Sequence, residues 1–180
     1  MLNQEAPKGS RPKFPDGYGI PKDSKGVLPW SWVEERLTKA KNYWVSTTRP
    51  DGRPHTRPVD GVWVAGALCF GGADTSRWMR NLSANPAIAV HLGSEVDVVI
   101  LEGTAQRVTD AKNPIVAPML AASKEKYPEY FGGGAPPFAP FWMLRPRVAY
   151  AWTLEKFPAS ATRWELATDE PFGFAQGRHR

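Results

Sequence analysis

The sequence contains a single cysteine, Cys69, among 180 residues. One cysteine excludes an intrachain disulfide, and one thiol cannot hold a metal cluster, so no metal site is predicted. Because Cys69 lies in an apolar stretch, we expect it to be buried in a strand rather than to act as a nucleophile. No apolar run approaches the length of a membrane span, and residues 1–28 lack the apolar core of a signal peptide. These absences predict a cytoplasmic protein without membrane contact.

Signatures of nucleic-acid binding are also missing, since neither paired Cys/His zinc spacing nor a basic helix with heptads appears. The chain is nevertheless basic, with a formal net charge of +5. Its arginines are interleaved with turn and strand residues instead of forming a lysine-rich run, as at Arg49, Arg53, Arg57, Arg77 and Arg80. This distribution predicts a local site for an anionic small ligand, such as a phosphate, and no nucleic-acid partner.

Length and composition predict one folded domain, because 42% of the 180 residues are hydrophobic. We expect this domain to span residues 29–168. Residues 1–28, rich in Pro, Gly and Lys, are predicted to form an extended or partly disordered arm, and residues 169–180 a C-terminal tail. The chain has eight tryptophans. We expect most of them in the core and some at a subunit contact or beside a planar ligand.

Strand patterns dominate the chain. Residues 43–48 are dense in aromatic and β-branched side chains and end in an Arg-Pro-Asp-Gly turn. Further strands are predicted at 55–64 with a kink, at 67–70 after a tight turn, and at 87–92, 97–108, 142–153 and 162–167. Gly103 marks an expected bulge. Several strands follow one another without the crossover helix that a parallel sheet needs, which predicts an antiparallel barrel of six or seven strands.

About three helices are predicted at the periphery of this barrel. The first is expected to begin near Ser31 through a capping box with Glu34. Two more are predicted, at 75–84 after a cap by Asp74 or Thr75, and at 110–126. The predicted fold class is therefore mainly β with peripheral α.

The segment from Asp51 to Val59 combines Pro and Gly, which restrict the backbone, with side chains that bind anions or ring heteroatoms. The guanidinium of Arg57 offers planar, bidentate donors suited to phosphate. His55 and Thr56 add donors on alternating faces of the same strand. These residue types indicate a ligand-binding strand, and a charged edge hairpin is the alternative.

A second ligand-binding pattern lies at the predicted start of the helix at 75–84. Hydroxyls of Thr75 and Ser76 and free backbone N–H groups gather there, where the helix dipole favours an anion. Arg77 and Arg80 are three residues apart and share a helix face. The pattern indicates a phosphate cradle, although the Gly spacing and the Lys of a P-loop are absent. The alternative is a capped surface helix with solvated arginines.

Two later segments are less distinctive. Residues 97–105 form a hydrophobic strand that we interpret as barrel core, even though Glu102 interrupts it. Arg145-Pro146-Arg147 opens a late strand, which either reaches a ligand across a subunit boundary or is simply solvated at its start.

These segments, in this order, resemble the pyridoxamine 5'-phosphate oxidase-like superfamily of flavin and deazaflavin split β-barrels. The likeness covers about residues 32–164. It rests on Arg-Pro-Asp-Gly-Arg-Pro-His at 49–55, Thr-Ser-Arg at 75–77 followed by Arg-Asn-Leu and Asn-Pro, and Val-Ile-Leu-Glu-Gly-Thr-Ala at 99–105. The ending Ala-Thr-Arg-Trp at 161–164 is similar to the same family. Order and spacing, rather than any single motif, carry the resemblance.

By this resemblance the chain is expected to be a split-barrel homodimer that binds FMN in the clefts between its subunits. The residues expected along the flavin ring and ribityl chain are His55, Thr56, Arg57, Pro58 and Val59. The residues expected to hold the phosphate are Thr75, Ser76, Arg77 and Arg80, with Asn81 assisting. Trp142 and Arg147 are expected to arrive from the other subunit.

The implied function is an oxidoreductase that transfers hydride or electrons between a reduced flavin and a small organic substrate. Trp78 stands where oxidases of vitamin B6 carry a lysine, so another donor or acceptor is expected. One alternative is a deazaflavin-dependent reductase, whose longer anionic cofactor would contact arginines such as Arg49 and Arg53. Another is a non-catalytic module that binds flavin or haem. No catalytic base is predicted: His55 is expected to position the ligand, to be structural or to relay protons, and His91 to be a core residue.

Overall fold

The computed structural model describes residues 6–134 and 137–166, and within them eight strands form one antiparallel sheet. The strands are β1 Tyr43–Thr48, β2 Pro54–Val59, β3 Gly61–Val64, β4 Ala67–Phe70, β5 Ala87–His91, β6 Asp97–Val108, β7 Phe141–Thr153 and β8 Thr162–Glu165. The described helices are α1 Trp30–Lys39, α2 Arg77–Ala84 and α3 Val116–Lys126, with a 3₁₀ turn at Pro128–Phe131. The prediction of a mainly β fold with about three helices is confirmed.

The strand order curls the sheet into a split barrel. Neighbouring strands follow the order β2-β1-β5-β6-β7-β4-β3, and β8 pairs with β7 outside this path. The two outermost strands, β2 and β3, are separated in the chain only by Asp60, which brings the ends of the sheet together. The predicted kinked strand at 55–64 is therefore two strands. Pro58, which cannot donate to a ladder, lies two residues before this break.

Two clusters of buried side chains lie on the two faces of β4. Leu68 and Phe70 belong to the main cluster, together with Trp164, whereas Cys69 belongs to a second, smaller cluster. This division follows from the alternation of side chains along a strand. Cys69 is 2% exposed, and burial raises the pKa of its thiol to about 12. The prediction that Cys69 is a buried strand residue is confirmed.

The predicted bulge at Gly103 is confirmed. β6 and β7 pair along their whole lengths, and the register shifts between Glu102 and Gly103, which leaves Arg147 of β7 without a partner. A Cβ atom at Gly103 would lie 2.9 Å from Leu144 Cδ1, closer than side chains tolerate. The bulge therefore requires glycine at this position and turns Arg147 away from the regular ladder.

The predicted capping box of α1 is wrong. The helix begins at Trp30, one residue before Ser31, and its N-cap residue Pro29 makes no side-chain hydrogen bond. The indole of Trp30 is buried, with its ring centroid 6.4 Å from that of Trp63 and 5.5 Å from that of Trp164. Packing of this side chain sets the start of the helix in place of a polar cap.

The other two helices are shorter than predicted. α2 begins at Arg77 instead of residue 75, with Ser76 at its N-cap position. α3 begins at Val116 instead of residue 110, because carboxylate and amide oxygens of Asp110 and Asn113 each accept a backbone N–H two residues ahead. Such local bonds compete with helix formation.

The prediction that His91 is a core residue is wrong. Ile88 and Val90 point into the main cluster, so alternation along β5 places His91 on the opposite, exposed face of the sheet. Its ring stacks on that of Trp44, with centroids 6.1 Å apart and planes 5° apart. The strand has apolar neighbours on both faces, so its sequence pattern predicts a strand without showing which face is buried.

Residues 6–29 contain neither a helix nor a strand, and Arg11 ties them to the barrel. Its guanidinium donates to the carbonyl oxygens of Asp23, Lys25, Ala159 and Ala161. The predicted boundaries of arm, domain and tail stay predictions, since residues 169–180 lie outside the described residues. Over the described ranges, no helix is both long and apolar enough to cross a bilayer.

The half-buried side chain of Lys126 joins α3 to Tyr43, the first residue of β1. Nζ of Lys126 donates to the hydroxyl of Tyr43 at 3.0 Å and to the carbonyl of Gly61 at 3.1 Å. Burial, reinforced by the charge of Lys41, lowers the pKa of Lys126 to about 8. The folded protein thus holds this ammonium at a cost, because its hydrogen-bond acceptors are uncharged.

We predict that Lys126→Met raises the urea midpoint of unfolding at pH 7. The pKa of Lys126 is lower in the folded than in the unfolded chain, so its penalty is full below about pH 8 and disappears as the pH approaches 10.5. Tyr43 keeps its bond to the carbonyl of Leu37 in the variant. The control is Lys124→Met on the exposed face of α3. A stability gain that does not shrink between pH 8 and 10.5 would contradict this account.

Candidate functional site

A chain of hydrogen bonds fastens α2 to β1 and β2. Nδ2 of Asn81 donates to Oγ1 of Thr47 at 3.0 Å, and Oγ1 of Thr47 donates to the carbonyl oxygen of His55 at 3.3 Å. All three side chains are buried. Because the three residues stand on α2, β1 and β2, these bonds fix the start of the helix relative to the predicted ligand-binding strand.

His55 lies within a cluster of arginines. Its side chain is 8% exposed, and desolvation lowers the pKa of its imidazole, as do the nearby guanidinium groups of Arg49, Arg57 and Arg77. None of the ion pairs in the described ranges involves these three arginines. The lowered pKa favours the neutral form of His55 at pH 7, and Asp51, the carboxylate that interacts with Arg49, is itself paired with Arg53.

Two buried polar atoms in this region have no hydrogen-bond partner among the described residues, namely Oγ of Ser76 and Nε of Arg49. Ser76 is the N-cap residue of α2, yet its hydroxyl makes no capping bond. Buried polar atoms without partners are rare in folded proteins, and each one calls for an explanation. A bound anion with several acceptor oxygens would satisfy both atoms, because each can donate a hydrogen bond.

Two arginines outside the loop before α2 bond to it. Nη1 of Arg80 donates to the carbonyl of Thr75 at 2.5 Å. Asp74, the acidic residue of this loop, pairs with Arg107 at 2.8 Å. The loop therefore presents Thr75, Ser76 and Arg77 at the start of the helix, while its one carboxylate is engaged elsewhere.

The predicted residues of β2 divide between the two faces of the sheet. His55 and Val59 are buried on the inner face, whereas Thr56 and Pro58 lie on the outer face. The hydroxyl of Thr56 lies 2.9 Å from that of Ser46 on β1. Arg57 is exposed beside the helix start. Arg57 and Arg77 both lower the pKa of His55, so these three residues lie near one another, and Ser76 directly precedes Arg77. That they bind a cofactor stays a prediction.

The two residues predicted to arrive from a partner subunit differ in their surroundings. Trp142 is 4% exposed in the main cluster of its own chain, and its indole N–H has no acceptor among the described residues. It pairs across the sheet with Phe70, whose ring lies 5.8 Å from that of Trp78 on α2. Arg147 is exposed at the β7 bulge. Their contact with a partner's cofactor stays a prediction, as does a phosphate contact from Asn81.

Three cavities of the chain lie away from all twelve predicted site residues. The first, of about 420 Å³, lies between the end of α1 and the β5–β6 loop. The second, of about 400 Å³, lies between α3 and β4, and the third, of about 230 Å³, lies on the outer face of β5 and β6. These three cavities therefore do not coincide with the predicted cofactor site.

Two residues near His55 were not among the residues predicted to bind FMN. Arg49 was expected to contact a ligand only in the deazaflavin alternative, and the structure buries its Nε near His55. Thr47 appears only as a strand residue, and its position on the buried face of β1 was the one available signal. Arg49 adds a hydrogen-bond donor suited to an anion, and Thr47 adds the hydrogen bonds that join Asn81 to His55.

The arrangement is suited to binding a phosphate group. It offers guanidinium groups, a serine hydroxyl and the N-terminus of α2, all of which favour oxyanions. A neutral His55 supplies a ring that donates or accepts one hydrogen bond without adding charge. Among the residues that the structure describes, no group of three or more His, Cys, Asp or Glu is placed to hold a metal ion.

We predict that Asn81→Ala lowers the free energy of unfolding by about 1–3 kcal/mol, because a buried hydrogen bond between α2 and β1 is lost. The matched control is Ser83→Ala, on the exposed face of the same helix, which should stay within about 0.5 kcal/mol of the wild type. Denaturant unfolding measures both values. Equal effects from the two substitutions would contradict a tethering role for Asn81.

Solved structures similar to this chain share its fold at low sequence identity. A conserved hypothetical protein, Rv2991, from Mycobacterium tuberculosis is 15% identical, with a TM-score of 0.58 over 74% of this chain and 89% of that one. A haem-binding protein from Mycobacterium smegmatis is 20% identical, with a TM-score of 0.56 over 70% of this chain and 55% of that one. At such identities the likeness shows a common fold and nothing about ligands.

A third solved structure shares the fold of this chain. It is a protein from Clostridium acetobutylicum related to general stress protein 26 of B. subtilis (pyridoxinephosphate oxidase family), 14% identical, with a TM-score of 0.54 over 76% of this chain and 93% of that one. Among proteins of curated function, none matches the sequence. A family model described as pyridoxamine 5'-phosphate oxidase matches residues 32–153, which is more than half of the chain. The chain therefore belongs to the pyridoxamine 5'-phosphate oxidase family.

Proposed function

We propose that the protein is an FMN-dependent oxidoreductase that acts on a small organic substrate. The observation that carries this proposal is the buried hydroxyl of Ser76 at the start of α2, which has no partner among the described residues. Arg49, Arg57 and Arg77 add positive charge in this region, and none of them takes part in an ion pair of the described ranges. A flavin phosphate would satisfy that hydroxyl and balance the charge. Membership in the family supports the flavin, since flavin oxidoreductases occur within it.

The residues of the chain divide the cofactor between them. Thr75, Ser76, Arg77 and Arg80 would hold the phosphate, and residues 55–59 would lie along the ring and ribityl chain. Bound flavin would supply the hydride and electron transfer that no side chain here provides. His55 would orient the ring through a hydrogen bond from its neutral imidazole. Burial and the nearby arginines lower the pKa of this imidazole, so it adds no positive charge to that of the arginines.

The outer face of the sheet supports a dimer. Trp44, Val98, Ile100, Tyr150 and Trp152 all lie on this face and remain partly or fully exposed. A contiguous apolar face of this kind is typical of an interface between subunits. Thr56 and Pro58 of the proposed cofactor strand share the face, because they pair with Ser46 and Trp44 of β1. A second copy covering the face would thus contact Thr56 and Pro58 of the proposed cofactor strand.

Partner contributions to the site follow from this arrangement. Arg147 is exposed and freed from the ladder by the bulge, so it is placed to reach a cofactor held by a second copy. Trp142 is buried in its own chain. In our proposal its indole N–H, which has no acceptor among the described residues, contributes to the site of that chain.

A deazaflavin-dependent reductase is the second candidate, and one observation favours it. Nε of Arg49 is buried without a partner, so an anionic group longer than that of FMN would find a donor there. Arg53, the other arginine expected to contact such a group, is already paired with Asp51 at 2.7 Å. FMN is therefore preferred, and a non-catalytic module that binds flavin or haem would be identified by the same experiment.

The test begins with the absorption spectrum of the purified protein and the mass of the ligand it releases. We expect FMN, and reduction of the bound flavin by a nicotinamide cofactor or another electron donor. Release of a deazaflavin would transfer the proposal to the second candidate. Release of haem, or a flavin that no donor reduces, would remove the enzyme assignment.

We predict that Arg77→Ala combined with Arg80→Ala weakens FMN binding to the stripped protein by about tenfold or more. Charge-assisted phosphate contacts contribute about 1.5–3 kcal/mol each, so the loss of even one such contact gives this change. The control is Lys112→Ala combined with Lys124→Ala, which removes the same charge from exposed positions elsewhere. Equal FMN affinities for the two double variants would place the phosphate at another site.

We also predict that Ile100→Asp on the outer face converts a dimer into a monomer, because the interface would have to bury an unpaired carboxylate. Light scattering should give twice the mass of one chain for the wild type. Val96→Asp, in the exposed loop before β6, is the control and should remain dimeric. A monomeric wild type that still binds FMN would contradict the shared site.

A further inference from the structure

Helix α3 leaves most of its apolar face without a complete cover. On α1 and α2 the apolar side chains that face the core, such as Leu37 and Leu82, are almost wholly buried. On α3 only Val116 is buried, whereas Met119 and Leu120 are half-buried over a cavity of about 400 Å³. This α3 cavity lies between α3, β4, the 3₁₀ turn and residues 137–141. Its volume is in the range of sites that bind small molecules.

Aromatic side chains form a large part of the walls of the α3 cavity. They include Tyr127, Tyr130, Phe131, Phe138 and Phe141. The rings of Tyr127 and Tyr130 stack with centroids 5.5 Å apart, and those of Phe138 and Phe141 meet edge to face at 6.4 Å. Flat side chains that pack in this way favour a planar aromatic occupant over a branched aliphatic one.

The charge of the α3 cavity is opposite to that of the chain. Asp60 is the only Asp, Glu, Lys, Arg or His among the described residues that line the cavity. The chain as a whole carries a net charge of +5. An anion that enters the cavity therefore meets the carboxylate of Asp60, although the ammonium of Lys126 bonds to the carbonyl of Gly61 nearby.

One polar end gives the α3 cavity a direction. The hydroxyl of Tyr130 donates to Oδ2 of Asp60 at 2.6 Å, which holds the carboxylate at the rim. The other carboxylate oxygen, Oδ1, has no donor among the described residues. An occupant with an N–H or O–H group would donate to this oxygen while its ring lies among the aromatic side chains.

We propose that the α3 cavity is a second ligand site, which binds an uncharged aromatic molecule carrying one N–H or O–H donor. The cavity contains none of the twelve residues assigned to the cofactor. It meets the cofactor region at Gly71 and Gly72, which lead from β4 into the loop before α2, and at Asp60 and Phe141, which are the chain neighbours of Val59 and Trp142. The proposal therefore holds whether or not the chain binds FMN.

The test compares two fluorescent probes with the same aromatic body. N-phenyl-1-naphthylamine is uncharged and carries one N–H donor, and 8-anilinonaphthalene-1-sulfonate adds a sulfonate. We expect the uncharged probe to bind the full chain about tenfold more tightly, although the net charge favours the anion. Equal affinities, or tighter binding of the sulfonate, would overturn the proposal.

Two variants locate the bound probe. Leu120→Arg extends a charged side chain into the cavity and should reduce binding of the uncharged probe about tenfold, whereas Leu154→Arg, at an exposed position outside the cavity, should leave binding unchanged. Asp60→Asn keeps the shape and removes the charge, so it should narrow the difference between the two probes. Circular dichroism confirms that each variant is folded.

The remaining outcomes count against a small-molecule site. If Leu120→Arg and Leu154→Arg bind the uncharged probe equally, the probe occupies another surface and the proposal fails. If the wild type binds no probe and Leu120→Arg turns a dimer into a monomer, the apolar face of α3 is covered by a second copy of the chain, which also overturns the proposal. Failure of FMN to bind would leave each of these results unchanged.

Discussion

The pairing of β6 with β7 forms the central ladder of the sheet, and the candidate site is built from elements on either side of it. These two strands lie between β5 and β4 in the sheet, and α2 is the segment that connects β4 to β5 across them. The position of α2 over β1 and β2 therefore depends on the register of that central ladder. Gly103 permits the register shift, since any larger side chain would meet Leu144. A single half-buried glycine thus contributes to the geometry of a surface built on other strands.

Hydrogen bonds between uncharged side chains hold α2 against β1, close to a cluster of arginines. Asn81 and Thr47 join α2 to β1, while Arg49, Arg57 and Arg77 are brought near His55 without a carboxylate in any ion pair with them in the described ranges. Like charges in proximity destabilise the folded chain, and an anion that binds only this state offsets that cost by mass action. If the chain binds an anion here as we propose, ligand binding would stabilise the arrangement that the tether and the charge cluster form together.

Local patterns predicted the parts of the fold that local forces decide. β1, the turn after it and the whole of β6 with its bulge follow from side-chain alternation, turn residues and glycine. The first residue of α1 and the exposure of His91 could not be predicted locally. The packing of Trp30, and the choice of which face of β5 is buried, depend on distant strands. In the site, residue types identified His55, Arg57, Ser76 and Arg77. Burial of the Arg49 Nε and the bond from Asn81 to Thr47 required the tertiary structure.

The two surfaces that a single chain leaves uncovered differ in shape, and shape separates their occupants. The outer face of the sheet is broad, and its cavity on β5 and β6 is only about 230 Å³ with no charged partner aimed into it. Such a face loses water efficiently only against another broad surface. The α3 cavity is concave, larger and polar at one end, where Asp60 leaves one oxygen free of donors among the described residues. A protein surface would leave that oxygen desolvated unless it placed a donor there, whereas a small molecule with one donor satisfies it and fills the cavity.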